Sequence, residues 1–521
     1  MMDQQQAQTA LIEALRRPQV YPHPADDIQV LQTHISSVVL AGGFAYKIKK
    51  PIDLGFLDFS TLERRRHFCE EELRLNRRLA PTLYLDVVRF TGTPQTPIIN
   101  GTGEAFEYAV RMRRFQQEML LDRILARNAL PVEIIESVAV QLAAFHVQAG
   151  QAGADSHYGN PDVAFFPMQQ NFDQLRPLIK DPRQCDQLAR LEQWTQAHYA
   201  VLHDTLAARK KAGRIRECHG DLHLGNIALE HGDILIFDGI EFNPDLRWTD
   251  VMSEVAFLSM DLTDRGADAF AHRFVNAYLE QSGDFGGLDV LRFYQVYRAM
   301  VRAKVASLRL AQGVEDAERR EILTRYQGYA NLAERFTRPG RPALVLMHGV
   351  SGSGKTTRSV DLIERFGAIR VRSDVERKRM HGLGATERIS ASVNAGLYTP
   401  EKTEQTYTRL ADCAATILRA GHVALIDATF LEASRRARFA TLARELGVPF
   451  LVLSIQADEA RLLARITQRM ASDSDASDAD IDVLRNQLAN IQPFEPHEPV
   501  IVVDSDAPMP FDRVAQALGQ A

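Results

Sequence analysis

Two clusters in this sequence place phosphate-handling groups at spacings that a phosphoryl-transfer reaction would require. Gly349-Val-Ser-Gly-Ser-Gly354-Lys355-Thr356 satisfies GxxxxGK[ST]. Glycines there let successive backbone N–H groups curl around phosphate oxygens, and a helix beginning at the end of the loop adds its partial positive charge. Gly349, Ser351, Gly352, Ser353, Gly354 and Thr357 are therefore nucleotide-binding candidates, with Lys355 reaching the β and γ phosphates and the Thr356 hydroxyl ligating Mg²⁺. The second cluster, His219-Gly-Asp221-Leu-His-Leu-Gly-Asn226, fits HxDxxxxN, in which the aspartate takes the acceptor hydroxyl's proton and the asparagine ligates metal. A short apolar run, 234–237, then ends in Asp238-Gly239 and offers a second carboxylate to Mg²⁺. Either piece alone occurs in ordinary turns; their order and spacing carry the signal. ATP and Mg²⁺ are the cofactors both clusters imply.

These residues need particular elements to hold them. The P-loop lies between an apolar strand-like run, 344–348, and a helical stretch starting near Thr356. Further apolar runs at 422–426, 450–455 and 500–503 alternate with helical stretches at 401–418 and 435–446, which predicts βαβ units on a parallel sheet. Asp374 and Asp427 close two of its strands, where carboxylates face the ligand crevice. Asp374 also suits a helix N-cap. Arg465 and Arg469 lie four apart on a helical stretch, which suits a solvated face. Upstream, short β-like pieces at 35–40, 44–48, 85–90 and 106–112 give way to helical patterns at 134–148, 187–208 and 251–260. Thr337-Arg-Pro-Gly-Arg-Pro342 reads as a linker. The expectation is two domains, a bilobal α+β domain over 1–336 and an α/β P-loop domain with a parallel sheet over 343–521. The acidic stretch 472–480 reads as a polar loop.

Bulk properties narrow the class. A chain of 521 residues exceeds what one core supports. Its net charge of −6 disfavours a bulk nucleic-acid partner, and no apolar run is long enough to span a membrane. The first residues lack a signal-peptide pattern, with Leu11, Ile12 and Leu15 at helical spacing instead, so a cytoplasmic setting is expected. The four cysteines are far apart, without a CxxC pair, and read as packing residues rather than disulfides or a zinc site.

HGDLHLGN followed by IFDGIEF resembles the aminoglycoside phosphotransferase family of kinases. By that resemblance Asp221 orients the acceptor hydroxyl, Asn226 and Asp238 hold Mg²⁺, and Lys47, in Phe44-Ala-Tyr-Lys47, holds the α and β phosphates, with Lys49 on the same strand face as the alternative. Its carboxylate partner comes from Glu70-Glu71-Glu72, Glu72 matching the family's spacing best, and residues 107–112 form the adenine hinge. Two departures are visible: Gly42-Gly43 makes a short nucleotide loop, and Glu254 stands where many relatives carry aspartate, with Asp250 close by. His223 reads as a loop-packing residue. Residues 343–504 resemble the zeta-toxin, gluconate-kinase and polynucleotide-kinase group of P-loop kinases. This implies that Asp374 accepts an acceptor proton, Arg377 binds the acceptor, Asp427 acts near Mg²⁺, and Arg465 and Arg469 are lid arginines. The first family phosphorylates choline, sugars and amino-sugar adducts, so the acceptor stays open as an unidentified small molecule. The competing class is an ATP-binding regulatory protein or an ATPase in which one or both sites transfer no phosphate.

Overall fold

A computed structural model of the chain describes residues 4–55, 57–312, 314–384, 399–470 and 480–520. The acidic stretch at 472–480 lies, apart from Asp480, outside the described residues, as does the side chain of Arg469. The chain forms two compact units. The first comprises Met1–Ile134, Ala144–Asp261 and Tyr297–Ala330; the second comprises Ile135–Ala143, Leu262–Val296 and Asn331–Ala521.

The first unit opens with helix α1 (Gln4–Ala14), whose Leu11 and Ile12, with the following Leu15, enter the core as their spacing predicts. An antiparallel sheet follows, with strands β1 (Gln29–Gln32), β2 (Ser36–Ala41), β3 (Phe44–Lys49), β4 (Tyr84–Thr93), β5 (Thr96–Ile99) and β6 (Glu107–Arg113) in the order β1-β2-β3-β6-β4-β5. One face, carrying Val39, Tyr46, Ile48, Val88 and Phe90, buries against α1. Helix α2 (Leu62–Asn76) starts at Thr61, whose side chain accepts the Arg64 N–H in a standard N-cap, and packs Cys69 with Tyr84 and Val110 in a second core cluster. The residues expected to form an adenine hinge are strand throughout, so the crossing to the helical part comes after Arg113. That part carries two short antiparallel pairs, β7 (Ile215–Glu217) with β10 (Trp248–Asp250), and the hairpin of β8 (Ile227–Glu230) with β9 (Asp233–Ile236), and the buried helix α3 (Val251–Asp264).

The second unit holds a five-stranded, wholly parallel sheet, the expected P-loop architecture. Strands β11 (Leu344–His348), β12 (Ile369–Arg372), β13 (Ala424–Asp427), β14 (Phe450–Gln456) and β15 (Val500–Asp504) run in the order β12-β13-β11-β14-β15. Every residue of β11 is buried, as a strand covered on both faces must be. Helices α4 (Asp268–Ser282), α5 (Lys355–Phe366), α6 (Ser373–Met380), α7 (Pro400–Arg419), α8 (Glu459–Met470) and α9 (Ile481–Ala489) belong to this unit. Three of the cysteines are buried, in line with packing; Cys185 is exposed and departs from it, and no cysteine is paired. Among the described residues no helix is long and apolar enough to cross a membrane.

Candidate active sites

In the first unit the charged residues of three elements converge. Lys47 and Lys49 are two apart on β3 and so share one face. Both reach Glu72 of α2, at 2.8 Å from Lys47 and 2.7 Å from Lys49. Glu72 is fully buried, whereas Glu70 pairs with Arg66 at the surface and Glu71 with Arg74. The two lysines then diverge. Lys47 contacts Asp238 at 2.5 Å, and the buried Lys49 contacts Glu241. Burial alone would push both ammonium groups down, but the surrounding carboxylates outweigh it and hold both well above the usual lysine range. Burial likewise opposes the ionised Glu72, and the two lysines overcome it, holding this carboxyl down at about 2.

Asp221 sits in a loop fixed by its backbone. The Gly220 N–H donates to Glu254 at 2.5 Å, Glu254 contacts His146 Nε2 at 2.8 Å, and the Gly220 carbonyl accepts from Arg298. Glu254 therefore braces the loop through structural hydrogen bonds, while Asp250 pairs with Arg209 at 2.6 Å. His219 bridges the loop to the metal-ligand strand, its Nε2 lying 2.8 Å from the Phe237 carbonyl. The Asn226 amide donates to the Asp221 carbonyl at 3.0 Å and lies 3.3 Å from its carboxylate, which leaves Oδ1 as the atom able to ligate a metal. His223 accepts the Gly225 N–H, the loop-bracing role expected of it, and its Nε2 lies 3.6 Å from Asp221. Although burial raises the Asp221 carboxyl, the neighbouring His223, His219 and Arg302 hold it well below the usual carboxylate range. Asp238 has a φ of 62°, a left-handed backbone that few non-glycine residues adopt and that aspartate tolerates better than most. Hydrogen bonds from its own N–H to Tyr84 and from Gly239 to Asn76 hold it there.

The P-loop of the second unit turns on glycine. Gly349 and Gly354 have φ of 142° and 95°, and a Cβ on Gly349 would meet the Ile455 carbonyl at 2.5 Å. Lys355 begins α5 and donates to the Val350 carbonyl at 2.9 Å, arching over the loop. The Thr356 hydroxyl donates to Asp427 at 2.7 Å, and Asp427 ends β13 level with Met347 and Arg372 on the flanking strands. Asp374 is the second residue of α6, past the capping position at Arg372, and its carboxylate accepts from Arg377 at 3.1 Å. It is thus at the strand end as expected and is not the N-cap. Arg465 faces the carbonyls of Gly352 and Ser353 and pairs with Asp506 at 2.9 Å, so it touches the loop rather than lying on a solvated face. Ser353 Oγ is buried without a partner among the described residues, a donor that an oxygen-rich ligand would satisfy. Thr357 is exposed.

Two contacts escaped sequence reasoning. Glu241 lies within the IFDGIEF run but gives no local sign of reaching Lys49. Gln487 of α9, whose Oε1 accepts the Ser351 N–H at 2.7 Å, carries no signal beyond one polar position on an amphipathic helix.

Residues 62–294 match the sequence model of the phosphotransferase enzyme family, and residues 344–494 match that of an AAA domain. An uncharacterized protein of Mycobacterium tuberculosis is 29% identical over 459 residues, 87% of this chain and 89% of its own length, and so spans more than either segment. Among solved structures, a choline/ethanolamine kinase family protein from Mesorhizobium loti is 12% identical with a TM-score of 0.38, covering 63% of this chain and 99% of its own. Kti12 of Chaetomium thermophilum, in complex with ADP-AlF3, is 16% identical with a TM-score of 0.27, covering 34% of this chain and 99% of its own.

Proposed function

The chain unites a domain of the phosphotransferase enzyme family with a P-loop kinase domain of the AAA type and is an ATP-dependent kinase; from this premise we propose that it has two nucleotide sites, each moving the γ-phosphoryl group of ATP to a hydroxyl of a small-molecule acceptor. What supports this reading is that each unit brings together its own set of residues able to bind phosphate and metal. All first-site residues precede the segment 337–342, and the P-loop residues with Asp374, Asp427 and Arg465 follow it, although the second compact unit also takes in residues 135–143 and 262–296. A cytoplasmic setting, where ATP and Mg²⁺ are abundant, belongs to the same proposal.

Phosphoryl transfer asks the protein mainly to position groups and to stabilise spread charge. In the first site Lys47 would hold the α and β phosphates, with Glu72 keeping its ammonium aimed and Lys49 locking Glu72 from the other side. Asp221, kept ionised by its neighbours, would accept the hydroxyl proton as the acceptor oxygen attacks. In the second site the loop amides and Lys355 would hold the phosphates, Arg465 would close on them, and Asp374 would face the acceptor with Arg377 beside it. The donors offered to a metal are hard oxygens in both sites, the Asn226 amide and Asp238 carboxylate in one and the Thr356 hydroxyl and Asp427 carboxylate in the other, and these suit Mg²⁺. Bound there, Mg²⁺ would neutralise charge on the transferring phosphoryl group.

A metabolite screen with labelled ATP tests the reading. Acceptor-stimulated ADP release, lost at one site in Asp221→Ala and at the other in Lys355→Ala, is the expected result. ATP hydrolysis indifferent to every acceptor, or binding without turnover, would favour the regulatory or ATPase alternative.

A further inference from the structure

Strand β12 is an edge of the parallel sheet, and it leads directly into the helix that carries Asp374. Exposed strand edges are normally covered or paired. Here the cover is α4, a helix more than fifty residues upstream of the P-loop sheet in sequence yet part of the same compact unit. The buried Asn276 of α4 stands in for a neighbouring strand. Its Nδ2 donates to the Ala368 carbonyl at 2.6 Å, and its Oδ1 accepts the Arg370 N–H at 3.1 Å.

One turn further along α4, Glu280 does more than cover an edge. Its carboxylate accepts from Arg370 at 2.9 Å and from Arg372 at 3.3 Å, and its carbonyl accepts from Arg379 of α6. Arg370 continues inward. Its second guanidinium nitrogen donates to Ser359 Oγ at 3.0 Å and lies 3.4 Å from the Thr356 carbonyl, and Ser359 Oγ itself donates to that carbonyl at 2.7 Å. A continuous chain thus runs from Glu280 through Arg370 to the first turn of α5, where Thr356 meets Asp427. A second branch runs through Arg372 to the residue before Ser373-Asp374. Glu280, Arg370 and Arg372 all have side chains less than one-fifth exposed, so these charges are matched within the protein rather than screened by water. The planar guanidinium fork of Arg370 lets one side chain hold a carboxylate and a helix terminus at once.

We propose that Glu280 is a positioning residue of the P-loop site, fixing through Arg370 the Thr356 turn that receives the metal and through Arg372 the strand end that presents Asp374. The inference rests on the P-loop kinase reading given above. It makes residues 268–282 a working part of a site whose sequence motif begins at Gly349. Removing the carboxylate frees Arg370 to leave the Thr356 carbonyl, and the cost falls on metal-dependent binding more than on binding as such.

The test is titration calorimetry of the full chain in an Asp238→Ala background, which leaves the P-loop site as the one to be read, using ATP with Mg²⁺ and ATP with chelator. Glu280→Gln should weaken MgATP about tenfold, leave metal-free ATP within about twofold, and raise the Mg²⁺ concentration for half-saturation, with Glu280→Asp recovering part of the loss. Arg370→Lys keeps the charge but drops the fork, and it should reproduce the metal-selective loss even if Glu280→Gln folds poorly. Unchanged MgATP affinity in both variants, or equal losses with and without metal, would overturn the positioning role. Lys355→Ala in the same background separates the two claims. If it too retains MgATP, the P-loop reading fails; if it loses MgATP while Glu280→Gln does not, only the role of Glu280 fails.

Discussion

The two candidate sites solve one problem with different materials. In the first unit the candidate ligands for phosphate and metal are side-chain charges that pair with one another: Lys47 and Lys49 with Glu72, Asp238 and Glu241. In the second unit the candidate phosphate site is mainly backbone, shaped by left-handed glycines and a helix N-terminus, with Lys355 donating to the Val350 carbonyl of the loop. Charge removal should therefore unfold the first site and merely empty the second.

The largest expected effect follows from that difference. Glu72→Ala leaves two buried ammonium groups short of a partner, and breaking a buried ion pair from one side costs ~3–5 kcal/mol. Chemical denaturation should show a loss of that size, while Lys355→Ala, which removes the partly buried bond to the Val350 carbonyl, should lose less than Glu72→Ala yet abolish nucleotide at its site. Equal stability losses in the two variants would erase the contrast.

Within the first site, Asp221→Ala should lower turnover by ~10²–10⁴-fold, the usual worth of a positioned base, with ATP binding retained. Asp238→Ala should instead lose metal-dependent nucleotide binding as well. Steady-state kinetics paired with calorimetry separates them, and loss of ATP binding by a folded Asp221→Ala would contradict the assigned role.

The sequence disclosed the contacts that are local or periodic. The P-loop is read from its own eight residues, and the strand ends of Asp374 and Asp427 from an apolar run closing in a carboxylate. Glu72 could be preferred over Glu70 and Glu71 by spacing, but which lysine it met could not be read, because Lys47 and Lys49 share a strand face and the fold pairs both with it. Glu280, Gln487 and Glu241 were invisible for a common reason. Each acts across 90 residues or more, and no local pattern encodes such contacts. The exposure of Cys185 likewise follows from which side of a long helix faces solvent.

Acid offers a third way to separate the units. Burial, reinforced by nearby cations, pushes His348 and His422 in the second unit down to about 4. The unfolded chain, with histidine near 6.5, binds protons that the native unit refuses as pH falls from about 6.5 to about 4. The second unit should lose up to ~1 kcal/mol per histidine per pH unit in that window. Glu72 has the same sign of dependence in a more acid window: its contribution is full above about 4.3 and is lost as pH falls toward about 2. Burial also lowers His219 in the first unit, which acts there in the same direction. Trp194 and Trp248 are the chain's two tryptophans and both lie in the first unit, so their fluorescence should stay native-like at a pH where far-UV circular dichroism already shows loss. Coincident transitions would break the prediction.

The smallest effect concerns the neighbouring acid. Glu70→Ala removes an exposed pair with Arg66 and should change neither stability nor ATP affinity measurably. A loss rivalling that of Glu72→Ala would return the helix-acid assignment to doubt.

Stoichiometry tests the central claim most directly. Titration calorimetry with MgATP should give two nucleotides for the intact chain and one for either Lys355→Ala or Asp238→Ala, and coupling of ~1–3 kcal/mol between the sites would leave those counts unchanged. A single ATP on the intact chain, or both sites emptied by Lys355→Ala, would contradict the two-site account.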